Sequence, residues 1–278
     1  MAKITAQDVN KLRKQTGAGM MDCKKALVEA DGDFEKAIEV LRKKGQKLSA
    51  KRADRDAKEG AVIAKVSGDR KRGVIVRLSS ETDFVAKNED FVAFADSIAA
   101  LALEHFPANK EELLALTMTD HNMTVGEKVT EQVGVIGEKI EVADYRRLEA
   151  EQVAVYIHMG NKAAVLVGMN HAHDDFDEVG RDVAMQVAAM KPVALDKDFV
   201  DQATIDKELE IGREQARAEG KPDHILDRIA QGKLNKFFAE NTLLNQTFVK
   251  NNKQTVRDYL KSKQKDLTIV DFQHVTLG

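Results

Sequence analysis

The sequence predicts an α+β protein in which a small helical bundle precedes a core of strands and helices. Apolar residues recur at helical spacing in the first 45 positions, and β-branched runs begin after Gly60. The order of strand, strand, loop and helix that follows Gly60 recurs at residues 153–190, which indicates two related halves of one core. With 278 residues, 43% of them hydrophobic, the chain can fill such a core.

Residues 1–45 predict a unit of three short helices. Thr5 and Asp8 have the spacing of a capping box, and the Gly-rich break at residues 16–19 ends the first helix. A second helix is expected at about residues 21–30. The third has an apolar face at helical spacing, formed by Phe34, Ala37, Ile38 and Leu41. Gly45 is expected to end this helix, and the charged residues 46–59 read as a linker or an exposed helix.

The first core half is expected at residues 60–148. The runs AVIAKV and GVIVRLS, separated by a turn at residues 67–69, predict a hairpin. After a loop at residues 81–87 we expect a helix at about residues 89–104, then a capping box at Thr124 and Glu127, then an extended segment at residues 138–148.

The second core half is expected at residues 149–278. VAVYIHM, a turn at Gly160 and Asn161, and AAVLVGM predict another hairpin, followed by an acidic loop and a helix ending near Met190. Residues at about 203–239 predict an antiparallel pair of helices, because Gly220 can stop one and Pro222 can start the next. A short helix at residues 256–260 and the run LTIVDFQHV, a returning strand, complete this half.

Composition and charge narrow the class of protein. Apolar runs are too short for a membrane-spanning helix, and the opening MAKITAQDVNKL lacks the pattern of a signal or transit peptide, so we expect a cytoplasmic protein. The single cysteine, Cys23, is expected to pack in the interior. The net charge is −3, and residues 1–59 carry 15 Lys/Arg against 10 Asp/Glu. Without interleaved aromatic residues, this modest excess favours a solvated surface over a nucleic-acid site.

Known catalytic and nucleotide-binding motifs are missing from the sequence. It contains no P-loop, no dinucleotide fingerprint, no nucleophile elbow and no zinc-protease motif, so we expect neither catalysis nor direct nucleotide binding. His171, His173, Asp174, Asp175 and Asp177 form the densest cluster of ligand-type side chains. Their spacing matches no standard metal site and they occupy an expected loop, so polarity of the loop is the favoured reading and a metal-dependent enzyme the rival one.

The segment Thr82-Asp83-Phe84-Val85 is the most informative one for binding. An aromatic residue beside an acid, in a loop directly after a buried strand, can be held rigidly and presented to a partner. The alternative, favoured by the residues alone, is that Asp83 caps a helix and Phe84 packs inward. Met20 and Met21 leave the same choice between an adaptable contact and a place in the core of a small bundle.

Two longer motifs carry a resemblance to a known family. The stretch LRKQTGAGMMDCKKAL at residues 12–27 and the stretch TDFVAKN at residues 82–88 resemble the two signatures of the elongation factor Ts family. The order of the expected elements resembles that family over essentially the whole chain. The resemblance implies a ubiquitin-associated-like N-terminal domain, a duplicated core, and a helical hairpin inserted in the second half.

What the resemblance implies about function is guanine nucleotide exchange on the translational GTPase elongation factor Tu, without a catalytic site or cofactor. The loop Thr82, Asp83, Phe84 and Val85 would enter the GTPase near its Mg²⁺. Arg13, Met20 and Met21 would contact a helix of its GTPase domain, and His158 a more distant domain. Glu81 stands where many members have a neutral residue, which adds a negative charge beside the loop. The hairpin is a candidate surface for dimerisation, and neither a membrane nor a nucleic acid is expected as a partner.

Overall fold

The computed structural model describes residues 4–118 and 122–278 as a mixture of α-helices and antiparallel sheets, which confirms the α+β class. The first three residues of the expected N-terminal unit lie outside the described residues. Within the described parts of the chain, no helix is both long enough and apolar enough to cross a membrane.

Three helices form the N-terminal bundle: α1 (Ala6–Thr16), α2 (Met20–Glu29) and α3 (Phe34–Arg52). The expected capping box begins α1, since the Asp8 amide donates to Thr5 Oγ1 at 3.2 Å and the Thr5 amide donates to Asp8 Oδ2 at 2.9 Å. The bundle has its own apolar cluster, which includes Leu12, Cys23 and Leu27, all with no exposed surface. Burial raises the pKa of the Cys23 thiol, which agrees with a packing role.

The expectation that Gly45 ends the third helix is wrong, because α3 continues to Arg52. Gly45 is buried, and a Cβ built on it would lie 3.1 Å from the carbonyl oxygen of Thr130. Gly45 therefore permits a close helix crossing rather than a helix end. Local sequence rules cannot distinguish these two uses of glycine.

The first core half contains a three-stranded sheet with helices around it. Its elements are β1 (Glu59–Val66), β2 (Arg72–Ser80), α4 (Asp83–Ala86), α5 (Glu89–His105), α6 (Lys110–Ala115), β3 (Thr117–Met118), β4 (Met123–Thr124), α7 (Val125–Ile136) and β5 (Glu141–Glu149). The strand order is β1-β2-β5, antiparallel throughout. The expected hairpin is confirmed, and so is the capping box of Thr124 and Glu127 that begins α7.

The second core half repeats this plan. Its elements are β6 (Gln152–Ile157), β7 (Ala163–Met169), α8 (Phe176–Met190), α9 (Gln202–Ala218), α10 (Leu226–Asn241), β8 (Thr247–Phe248), β9 (Asn251–Thr255), α11 (Val256–Lys263) and β10 (Ile269–Thr276). The tail strand β10 pairs with β7, as the sequence predicted, and the order is β10-β7-β6. The small β8–β9 hairpin was not predicted.

The two sheets pack against each other through an apolar layer that includes Val62, Ile75, Leu148 and Leu166. Helix α5 covers the other face of the first sheet and α8 covers the other face of the second. Both faces of the central strands are therefore buried, which explains why their sequences are continuous apolar runs rather than alternating ones. A Cβ on Gly73 would lie 2.9 Å from side-chain atoms of Leu166, so glycine at this strand position permits the close approach of the sheets.

Helices α9 and α10 pack on one another after a short connection in which Gly220 has a φ of 73°. The Cβ and Cα of Ala230 lie within 3.2 Å of where a Cβ on Gly212 would be, so the helix axes approach closely. Arg213 Nε donates to Asp227 Oδ1 at 2.7 Å across the pair.

Candidate functional site

A short helical turn after β2 presents the candidate loop. Thr82 is the N-cap of α4, and its hydroxyl oxygen accepts a long hydrogen bond of 3.5 Å from the Val85 amide. Val85 packs against the apolar core of the first half, which fixes one side of the turn. Phe84, the neighbouring residue, points away from that core and is 85% exposed.

The alternative in which Asp83 caps the helix and Phe84 packs inward is therefore wrong. Thr82 supplies the cap, and Val85 is the apolar residue that turns inward. Successive residues of a helix are rotated by about 100°, so a turn that buries Val85 cannot bury Phe84 in the same place. Asp83 is left on the accessible side of the turn.

Asp83 forms an ion pair within the same turn, with Lys87 Nζ at 2.6 Å from its Oδ2. The hydrogen bond from Lys87, followed by its charge, holds the pKa of Asp83 below the ordinary aspartate value. The side chain is therefore an anion at neutral pH. Because both partners are exposed to water, this ion pair can open when another cation competes for the carboxylate.

Glu81, expected to add a negative charge beside the loop, is turned inward, and its charge is balanced by two arginines. Its carboxylate accepts hydrogen bonds from Arg52 at 2.5 Å, from Arg55 at 3.1 Å and from the Lys139 amide at 2.6 Å. Burial raises its pKa, but the Lys139 amide and the two guanidinium groups outweigh burial and hold the pKa below the ordinary glutamate value. The charge of Glu81 fixes the end of α3 and the residues after α7 to the base of the loop.

On the bundle, the candidate contact residues lie at the break between α1 and α2. Met20 and Met21 occupy the first turn of α2 and are 60% and 64% exposed, so they are not core residues of the bundle. Arg13 is exposed in the last turn of α1. The break itself depends on Gly17, whose φ of 71° ends α1 in the left-handed region.

His158 occupies the turn between β6 and β7, exposed to solvent. Its Nδ1 lies 3.0 Å from the hydroxyl of Tyr156, which orients the imidazole. The next residue, Met159, is 86% exposed. The sequence predicts one strand over VAVYIHM, but β6 ends at Ile157, which leaves Met159 in the turn.

The acidic loop before α8 is held by one contact within the loop and by ion pairs with Arg70 of the β1–β2 turn. His173 Nδ1 accepts a hydrogen bond from the Asp175 amide at 3.2 Å. Asp177 Oδ2 forms an ion pair with Arg70 Nη1 at 3.0 Å. Among the described residues, no group of three or more His, Cys, Asp or Glu side chains is arranged to hold a metal ion.

The candidate residues thus fall into three groups, on the α1–α2 break, on α4 and on the β6–β7 turn. Each group presents exposed methionine or phenylalanine side chains near charged or polar ones. This is the composition of contact surfaces between proteins. The fold and these surfaces define an α+β protein with three exposed groups whose composition suits protein–protein contact.

Comparison with known proteins identifies the family. The family model described as Elongation factor TS matches residues 81–278. A protein named Elongation factor Ts from Christiangramia forsetii is 58% identical over the whole of both chains. Proteins of the same name from Flavobacterium psychrophilum and Amoebophilus asiaticus are 52% identical over the whole of both chains and 54% identical over 99% of each. The chain belongs to the elongation factor Ts family, the exchange factors of translation elongation.

Proposed function

We propose that this chain binds elongation factor Tu in its GDP-bound form and promotes release of the GDP, so that GTP can bind. Membership of the elongation factor Ts family supports the class of activity. The single observation that carries the mechanism is the exposure of Phe84, at 85%, on a turn whose other side is fixed in the core. A large apolar side chain presented in this way gains free energy only when a partner covers it.

In the proposed mechanism, Phe84 and Asp83 enter the GTPase beside its Mg²⁺ and phosphate-binding loop. Mg²⁺ bridges and neutralises phosphate oxygens in such sites, so its displacement weakens the nucleotide strongly. Phe84 would displace side chains that support the metal, and Asp83 would exchange Lys87 for a cationic group of the partner. Thr82 and Val85 set the position of this pair.

The energetics are those of linkage. A factor that binds the nucleotide-free GTPase more tightly than the nucleotide-bound form must weaken nucleotide binding by the same ratio. Each factor of ten in that ratio needs only about 1.4 kcal/mol of differential binding. Burial of one exposed phenylalanine contributes about 1.5–3 kcal/mol, so the loop alone could supply one or two factors of ten.

The other two groups would supply binding energy that does not depend on the nucleotide. We propose that Met20 and Met21, with Arg13, contact a helix of the GTPase domain, and that His158 contacts a more distant domain of the partner. Exposed methionines suit this role, because a flexible thioether side chain adapts to an apolar surface. Residues 1–45 would act as a ubiquitin-associated-like contact domain, and residues 46–59, which begin with the last turns of α3, would join it to core halves at residues 60–148 and 149–278. The α9–α10 pair is a candidate hairpin for dimerisation.

The experiment is release of a fluorescent GDP analogue from elongation factor Tu in the cytoplasmic ionic conditions under which translation occurs. The double variant Asp83→Ala, Phe84→Ala is compared with wild type, with circular dichroism as a check of folding. Phe199→Ala is the matched control, since Phe199 is also exposed but lies in the second core half, away from α4.

Wild type should accelerate release, the double variant should lose most of the acceleration, and the Phe199 variant should keep it. No acceleration by wild type would refute the proposed function. Equal acceleration by wild type and the double variant would refute the role of the loop while leaving exchange intact.

A further inference from the structure

A glutamate 56 positions along the chain holds the base of the candidate loop. The backbone amide of Thr82 donates to Glu138 Oε2 at 3.0 Å, and the Thr82 hydroxyl donates to Glu138 Oε1 at 2.7 Å. Both oxygens of one carboxylate therefore bind one residue, and that residue is the N-cap of α4. Hydrogen bonds to a charged acceptor are stronger than those between neutral groups, and a two-point contact fixes orientation as well as distance.

The direction of the hydroxyl proton connects this contact to the helical turn. A threonine hydroxyl has one proton and two lone pairs. Since the proton is given to Glu138, a lone pair of Thr82 remains available for the Val85 amide, which is the capping bond of α4. If the proton turned toward the Val85 amide instead, two donors would face each other and the cap would be lost.

The segment that carries Glu138 is itself firmly held. Gly137, with a φ of 86°, ends α7 in the left-handed region and turns the chain toward Thr82. The next residue, Lys139, donates its amide to Glu81 at 2.6 Å, so each of the two segments offers a carboxylate to a backbone amide of the other. The Lys139 ammonium also donates to the carbonyl oxygens of Ala53 and Arg55, just beyond α3.

We propose that Glu138 is a positioning residue for nucleotide exchange: through Thr82 it holds α4 so that Asp83 and Phe84 are presented in one orientation. This proposal rests on the proposed function of the loop. The helix α4 has only four residues, and so short a helix does not persist without external contacts. Val85 anchors one side of it, and the Glu138 carboxylate anchors its start.

Without the carboxylate, the loop samples several orientations, and only a fraction of them can enter the partner. The rate of GDP release at a saturating concentration of this protein falls with that fraction, as a reaction rate falls when a reacting group is misplaced by about 1 Å. Binding of the two proteins through the bundle and the β6–β7 turn does not require the loop to be ordered. Glu138 therefore acts on the maximal rate of GDP release more than on the concentration of factor that gives half of that rate.

The first test is the kinetics of Glu138→Gln. An amide keeps one acceptor but turns an N–H donor toward a donor of Thr82. We expect the maximal GDP-release rate to fall about tenfold or more, and the half-saturating concentration to change less than about threefold. The matched control is Glu141→Gln. Glu141 lies three residues after Glu138, carries the same charge and contacts Lys139 Nζ at 3.4 Å. That variant should keep wild-type kinetics.

The second test reads the order of the loop directly and needs no partner protein. The sequence has no tryptophan, so Phe84→Trp places a single indole on the loop. Its time-resolved fluorescence anisotropy should show little fast local motion when Glu138 is present and clearly more in the Phe84→Trp, Glu138→Gln double variant. Phe84→Trp, Glu141→Gln should behave as Phe84→Trp alone.

A double-mutant cycle assigns the effect to the contact itself. Thr82→Val removes the hydroxyl without changing the carboxylate, so it also tests the proposal if Glu138→Gln does not fold. Thr82→Val should reproduce the loss of maximal rate, and the two changes combined should cost clearly less than the product of the single losses.

Any of three results overturns the proposal: wild-type maximal rates for both Glu138→Gln and Thr82→Val, unchanged anisotropy of the introduced indole in the Phe84→Trp, Glu138→Gln variant, or equal losses for Glu138→Gln and Glu141→Gln. Failure of wild type to release GDP would instead refute the proposed function, and the anisotropy would still report whether Glu138 orders the loop.

Discussion

The crossing of α3 and α7 depends on two glycines in direct contact, and Gly134→Ala tests it. A Cβ on Gly134 would lie 2.8 Å from the Cα of Gly45 and 3.3 Å from its backbone nitrogen. Both obstructing atoms belong to the backbone of a long helix, so no side chain can rotate to make room. The helices would have to separate or bend.

The magnitude follows from two opposing terms. Non-bonded carbon atoms prefer a separation of about 3.5–4.0 Å, so the added methyl group requires a shift of about 1 Å. Overpacking of this kind typically costs about 1–3 kcal/mol. Replacement of glycine by alanine in a helix contributes about 1 kcal/mol in the opposite direction. The expected net change for Gly134→Ala is therefore a loss of up to about 2 kcal/mol.

The matched control is Gly232→Ala in α10, where a Cβ would have nothing within 4 Å. That substitution should stabilise the protein by up to about 1 kcal/mol through helix propensity alone. Urea unfolding followed by circular dichroism measures both variants, and the difference between them, about 1–3 kcal/mol, isolates the packing term. Hydrogen exchange of the α3 amides should become faster in Gly134→Ala and stay unchanged in Gly232→Ala.

One result would refute this reasoning. If Gly134→Ala stabilises the protein as much as Gly232→Ala does, and the α3 amides keep their protection, the two glycines do not control the crossing. A loss of stability with unchanged α3 protection would place the damage within α7 rather than at its contact with α3.

Three further changes test other parts of the structure. Burial raises the pKa of Tyr145 to about 12, whereas an unfolded tyrosine titrates near 10. The raised pKa means that the folded state binds the tyrosine proton more tightly than the unfolded state does. The contribution of Tyr145 to stability is therefore complete below about pH 10 and is lost as the pH rises to about 12. Tyr145→Phe should remove this part of the alkaline loss of stability, as measured by urea unfolding at several pH values. Asp182 is buried and accepts hydrogen bonds from Lys250 and the Tyr259 hydroxyl. Asp182→Asn should lower the free energy of unfolding by roughly 1–3 kcal/mol, measured by urea unfolding. Leu12→Ala in the bundle core should cost about 2–5 kcal/mol by the same measurement, with the loss confined to α1–α3 in hydrogen exchange.

Local chemistry made much of the fold predictable. The capping boxes at Thr5 and Thr124 depend on side chains three residues apart, and both form as expected. The two hairpins and the return of the tail as β10 follow from apolar runs that are short, β-branched and bounded by turn residues. The caps and hairpins are decided by neighbouring residues, and the strand character of the tail is a local pattern as well, although its pairing with β7 is not.

The features that escaped prediction depend on residues distant in the chain. Gly45 reads locally as a helix stop, but it is a contact with α7, about 90 positions later. The residues alone likewise favour inward packing of Phe84, because they do not show that Val85 is the one that packs inward. Nothing near Thr82 in the sequence indicates that Glu138, 56 positions later, binds it.

The same distant contacts bear on how exchange would work. Contact of the bundle with a partner cannot by itself disturb a nucleotide; it can only hold the factor in place. For that binding energy to act at the loop, the loop must stay at a fixed position relative to the bundle. The α3–α7 crossing and the junction of Arg52, Glu81, Lys139 and Glu138 supply this connection through direct contacts. A loop joined to the bundle by a flexible segment would instead yield to the partner, and the nucleotide site would keep its geometry.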